Sequence, residues 1–251
     1  MNTVIITLIM FCSKIKSMMI FSLLLASTLL ISGSSYRTST IHLAKTKLQI
    51  SSTDHMTTLD SNDLAEKLVN GFYGDFFNYL VRDDIIESIW NAPNSLQKLE
   101  HLIKDVNAPM KARFLACEVL FEKHFIFVPD VGSETVAEIY AQALLNNYTE
   151  MANSWGFLYE HNDEGPVGIR FVMIGIEAVP VLVKLLDNND QSMLYNGSQE
   201  AMLGNSYQFR IKDYAAFYIS KIKRIPVQYH QDPQERDAEI EKLKFALAHD
   251  Q

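Results

Sequence analysis

The chain has 251 residues and almost no cysteine: Cys12 and Cys117 are the pair. If the N-terminal stretch is cut on maturation, Cys117 stands alone. A single thiol closes no internal disulfide, so a disulfide-stapled scaffold is excluded. Cys117 lies in the apolar run ARFLACEVLF, where a small buried core residue is expected rather than a nucleophile. Positive charge is also short, with 22 Lys and Arg against 30 Asp and Glu and a formal charge of −8. Nucleic acid is therefore not expected as a partner, because phosphate binding needs clustered cations, and neither is an anionic membrane surface. Alternation at period two over strand length is almost missing. So are the familiar catalytic signatures: the sequence has no HExxH, no histidine pair at i, i+4, no GxSxG, no Walker loop and no GxGxxG. Neither a cofactor nor a metal site is expected.

The chain is not poor in apolar residues, which make up 48% of it, enough to bury a core. Met18 to Ile31, MMIFSLLLASTLLI, is an uncharged run of fourteen residues, preceded by Lys14 and Lys16 and followed by the small polar SGSSYRTST. That is the layout of a secretory signal, and the run is shorter than the roughly 20 residues of a membrane span. An earlier apolar patch, Val4 to Cys12, lengthens the n-region. It fits either a start codon set too far upstream or an uncleaved anchor. No cysteine follows at the position a lipoprotein needs. Residues 1–33 are thus expected to be a signal peptide or N-terminal anchor, and 34–58, rich in Ser and Thr, a flexible linker. The body, 59–251, is expected to be exported to the periplasm, the cell envelope or the medium. Membrane contact is expected only through an uncleaved N-terminus. Loss of residues 1–33 would take the formal charge from −8 to −10.

From Leu59 onward the pattern is helical. Leu64, Leu68, Phe72 and Phe76 recur at spacing four, weakened by Gly71 and Gly74. DDIIESIW, SLQKLEHLIKD, MKARFLACEVLFEKH, SETVAEIYAQALLNNY, GIRFVMIG, IEAVPVLVKLLD, RIKDYAAFYISKIKR and DPQERDAEIEKLKFAL each read as helix. FIFVPDVG is expected to be a packed loop, and Asn188 to Phe209 a long polar loop. The last helix has a thin stripe, Ile240, Leu243 and Leu247, as an end cap on a stack needs. The fold class is all-α.

One pair of helices is the most informative. Val179, Leu182, Leu185 and Leu186, with Ile176 and Val183 beside them, make a helix apolar over a wide arc, which needs neighbours on more than one side. Pro180 is tolerable only in the first turn, so that helix starts near Ala178 or Val179. In the next, Ala215 and Ala216 let another backbone come close, with Tyr214, Phe217, Tyr218 and Ile219 around them. Ninety-nine residues earlier, Lys111, Ala116, Cys117 and Leu120 fall under Arg210, Ala215, Ala216 and Ile219. At a shift of eighty-three, Leu96, Leu99, Leu102 and Ile103 fall under Val179, Leu182, Leu185 and Leu186. The arrangement resembles the HEAT repeat of the armadillo-like class, well over Gly168 to Lys223 and less closely over Ser95 to Lys123. The resemblance implies a short α-α superhelix of stacked helix pairs, here with two long loop insertions that break the period of about 40 residues. It also implies a protein or peptide as partner.

Three functions are weighed. The first is a protein- or peptide-binding module. Trp155, Phe157, Tyr159, Tyr195, Tyr207 and Phe209 crowd the two insertions and are its candidate contact residues, since Tyr and Trp offer rigid area with a polar tip. The bland alternative is that these rings fold the loops onto the helices. The second is an enzyme, a hydrolase or lyase, with acids from Glu160 to Glu164 in a loop-lined pocket. The oxygen and nitrogen ligands in EHNDEG lack Asp-x-Asp spacing, and a solvated acidic turn is expected there instead. The third is an envelope structural protein with no specific ligand.

Overall fold

The computed structural model describes residues 61–249, except 161–163, 191–192 and 198. Helices are the regular elements among them, with no β-strand. The all-α class follows directly. The expected signal and linker, His161, Asp163 and Ser198 lie outside the described residues.

Twelve α-helices are described. Ser61–Glu66 (α1) runs through a π-helical turn, Lys67–Phe72, into Tyr73–Phe76 (α2), the irregularity falling where Gly71 weakens the helix. Arg82–Trp90 (α3), Ser95–Lys104 (α4) and Met110–Lys123 (α5) follow. Phe127–Val131 (α6) corrects the expected loop. Pro129 sits in its first turn, where a missing N–H loses no partner, and Phe127, Val128 and Val131 are buried. Next come Ser133–Leu145 (α7), Ile169–Ile174 (α8) and Val179–Val183 (α9). Gly175, at φ 84°, turns the chain between α8 and α9, and Pro180 lies in the first turn of α9. The helix ends sooner than its apolar pattern does, and Leu185 to Asn188 continue in turns bonded three residues back.

Gln199–Ser206 (α10) is a second correction, a helix inside the expected polar loop. Its pattern is weak because tertiary contact forms it: a Cβ on Gly204 would come within 2.5 Å of the Tyr159 and Tyr195 rings, so only glycine lets the helix approach them. Ile211–Lys223 (α11) and Pro233–His249 (α12) complete the chain. Asp213 starts α11 by accepting from the Arg210 N–H at 2.8 Å.

The helices pack in sequence order. α4 lies along α5, α5 along α7, α7 along α8 and α9, and α9 along α11, which carries α12. Ala215 and Ala216 are fully buried in this sequence of contacts, as are Tyr214, Phe217, Tyr218 and Ile219. Gly168 opens α8 against α11. A Cβ there would overlap both the Tyr218 hydroxyl and the Glu164 carbonyl.

Candidate functional site

The two insertions meet. After α7 the chain makes a tight turn through Asn147 and Glu150, both at positive φ, then 3-10 turns at Ala152–Trp155 and Leu158–Glu160. The second insertion returns as a segment without regular structure, Met193 to Asn196. Asparagine side chains fix it. Asn153 donates to the Asn196 carbonyl at 3.0 Å and accepts from its N–H at 2.9 Å. Asn205, on α10, donates to the Tyr195 carbonyl at 3.0 Å and accepts from its N–H at 2.7 Å. The Ala152 N–H donates to the Leu194 carbonyl at 3.1 Å. At about 0.5–1.5 kcal/mol net for each bond, these contacts hold the segment without reference to its side chains.

Between the turn and the segment lies an open groove of about 700 Å³, with Asn147, Glu150 and Met151 on one wall and Met193 to Asn196 on the other. Leu194 is 62% exposed at its lip, and Met202 and Leu203 of α10 are exposed as well. Tyr73 lies behind the turn and donates to the Tyr148 carbonyl at 2.6 Å. Burial first, and then the Glu150 charge, push its hydroxyl up to about 12.

Of the six aromatic residues read from the sequence, Trp155, Tyr159, Tyr195 and Phe209 are buried, and Phe157 and Tyr207 pack half-buried against the core. Phe157 stacks on Tyr195 at 5.4 Å, Tyr195 meets Tyr159 edge-on, and Tyr159, Tyr207 and Phe209 continue the series. Trp155 is fully buried in a separate stack between Phe114 and Phe171. Tyrosine hydroxyls tie the loops down: Tyr195 donates to the Gly156 carbonyl at 2.9 Å, Tyr214 to the Tyr195 hydroxyl at 3.1 Å, and Tyr218 to the Trp155 carbonyl. These rings thus fold the insertions onto the helices, and the large apolar side chains that the loops leave exposed are Leu194, Met202 and Leu203, with Glu150 exposed beside the groove.

Of the acidic cluster, Glu160 is exposed and Glu164 pairs with Lys221 at 3.2 Å. Among the described residues no three His, Cys, Asp or Glu side chains converge as a metal site would need. Burial, the largest influence, pushes the Cys117 thiol well above its usual range, which makes it a poor nucleophile.

Two charge clusters escaped sequence reasoning. Glu118, fully buried on α5, accepts from Arg82 at 3.0 Å, from Arg170 at 3.4 Å and from the Tyr140 hydroxyl. Glu122, one turn on, meets the same arginines at 3.1 and 2.6 Å. Burial alone would raise the Glu122 carboxyl, but Arg170 and Arg82 override it and hold it below the usual carboxylate range. In the second cluster, buried Asp213 pairs with Arg210 at 3.0 Å and Arg236 at 3.3 Å. Arg236 in turn donates to the carbonyls of Tyr207, His230 and Gln231. The first cluster sets two glutamates against two arginines, and in the second Asp237 of α12 adds a further carboxylate to Arg210 at 2.8 Å, so both serve as locks between helices. A glutamate inside the apolar run ACEVLF, with a second one turn later, was the available signal for the first.

Compared with known proteins, the chain matches no family model, no curated protein and no solved structure.

Proposed function

We propose that this is an exported, HEAT-like helical-repeat protein whose loop-walled groove binds an extended peptide or a protein segment. The observation that carries the reading is the groove itself. One wall is a backbone segment pinned by Asn153 and Asn205, and its lip is an exposed leucine. A preordered wall loses little conformational freedom when a peptide is laid along it. The HEAT-like part is supported by packing: α4 lies on α5 and α9 on α11, the two pairs whose residue pattern recurs in the sequence. The signal-like run MMIFSLLLASTLLI supports export. Helix stacking alone does not fix a function, so the groove bears the weight.

Selection of twelve-residue peptides from a random phage library tests the reading. Enriched peptides should lose at least about tenfold in affinity against Leu194→Ser and Met151→Ser, roughly 1.4 kcal/mol. They should bind Phe245→Ser, a change at an exposed position on α12, as they bind the unaltered protein. Failure to enrich any peptide, or equal binding to all three variants, overturns the proposal.

A further inference from the structure

The groove has a definite charge. Of the residues on its walls Glu150 alone is ionisable with a carboxylate, and no lysine or arginine lines it. Glu150 is exposed and makes no ion pair among the described residues. Beside it lie the exposed Leu194 and the half-buried Met151, a flexible thioether that adapts to differently shaped apolar partners, while Met193 is buried. The whole chain carries −8, so the long-range field also favours cations.

Resting on the peptide-binding reading above, we infer that the groove's partner is an extended peptide in which arginine or lysine alternates with apolar residues. Side chains of an extended backbone point alternately to opposite sides, so every second residue shares a face. One face covers Leu194 and Met151. The cations on the other reach Glu150 at the rim. Arginine suits the carboxylate better than lysine, because its planar fork can meet both oxygens.

The experiment uses the full chain and three fluorescein-labelled octapeptides, alternating Leu/Arg, Leu/Gln and Leu/Glu, titrated by fluorescence anisotropy at physiological salt. The Leu/Arg peptide should bind at least about tenfold tighter than Leu/Gln, and Leu/Glu weakest. Glu150→Gln should weaken Leu/Arg about threefold, as expected for an exposed pair. Glu150→Lys, which replaces attraction by repulsion, should weaken it tenfold or more. Asp130→Lys makes the same change of charge near the start of α7, at the other end of that helix from the groove, and should leave binding within about twofold. Equal binding of the three peptides, with loss in Leu194→Ser, overturns the cationic partner and leaves the peptide groove standing. Binding by none of the three in the unaltered protein overturns both. A Leu/Arg preference that survives Glu150→Lys, or that Asp130→Lys abolishes equally, assigns the attraction to overall charge and overturns the role of Glu150.

Discussion

Replacing Glu118 with glutamine tests the buried charge cluster with little change of shape. The carboxylate is fully buried and accepts from Arg82, Arg170 and Tyr140. Removing one side of a buried pair typically costs about 3–5 kcal/mol, because the other charge is left uncompensated. Glu122 still faces both arginines, at 3.1 and 2.6 Å, so part of their charge remains balanced. The expected loss is therefore near the lower end, about 3 kcal/mol. For a domain of this length that lowers the thermal midpoint by about 6–12 °C. Tyr140→Phe removes a hydrogen bond to a charged acceptor, worth about 1.5–3 kcal/mol. In the Glu118→Gln background the same change should cost at least about 1 kcal/mol less, since the two side chains share one contact. Urea unfolding followed by circular dichroism gives all three numbers. A Glu118→Gln variant within about 1 kcal/mol of the parent, or strict additivity, would refute the account of this cluster as a lock between α3, α5 and α8.

Three further outcomes follow from the packing and the charges. Gly168→Ala should destabilise by about 1–3 kcal/mol, and Tyr218→Phe should not rescue it, because the Glu164 carbonyl that the new Cβ meets is backbone; a restored midpoint in the double variant would contradict this. Ala216→Trp should cost on the order of 1–3 kcal/mol or more by overpacking a fully buried site on α11, read by thermal melting, where an unchanged midpoint would disprove the close contact. Acid should weaken the fold through Glu122. Its unfolded carboxyl, near pH 4.3, binds a proton more readily than the folded one, so its stabilisation is complete above that pH and is lost as pH falls through the lower folded value. Melts between pH 7 and 3 should therefore decline more gently for Glu122→Gln than for the parent, and parallel curves would be the contrary result.

Much of the fold was legible because local chemistry wrote it. Pro180 could sit only in a first turn and Gly175 marked a turn of the chain, and both hold in the structure; the double alanine of α11 is fully buried, as a close neighbour requires. What was illegible depended on distant partners. α10 has little apolar periodicity of its own and takes shape where Gly204 meets the Tyr159 and Tyr195 rings. α6 was masked by a proline and a run of aromatic and branched residues that read equally well as loop. The inward turn of the insertion aromatics could not be read either, since Tyr and Phe serve cores and interfaces alike; Tyr214 and Tyr218, far along the chain, decide it by anchoring the loops. Arg82, Glu118 and Arg170 are 36 and 52 residues apart in sequence, beyond the range of any local pattern. Of the groove walls only Tyr195 was among the candidates, and the rest were missed for the same reason. Asn153 and Asn205 look like ordinary loop polar residues until their partners at Asn196 and Tyr195 are known.

Hydrogen exchange on the full chain, with and without saturating Leu/Arg octapeptide, tests the peptide groove most directly. Slowed exchange confined to amides around residues 147–151 and 193–197 is the result expected. Protection that appears only on α3 and α4, or none at all under conditions of proven binding, would contradict it.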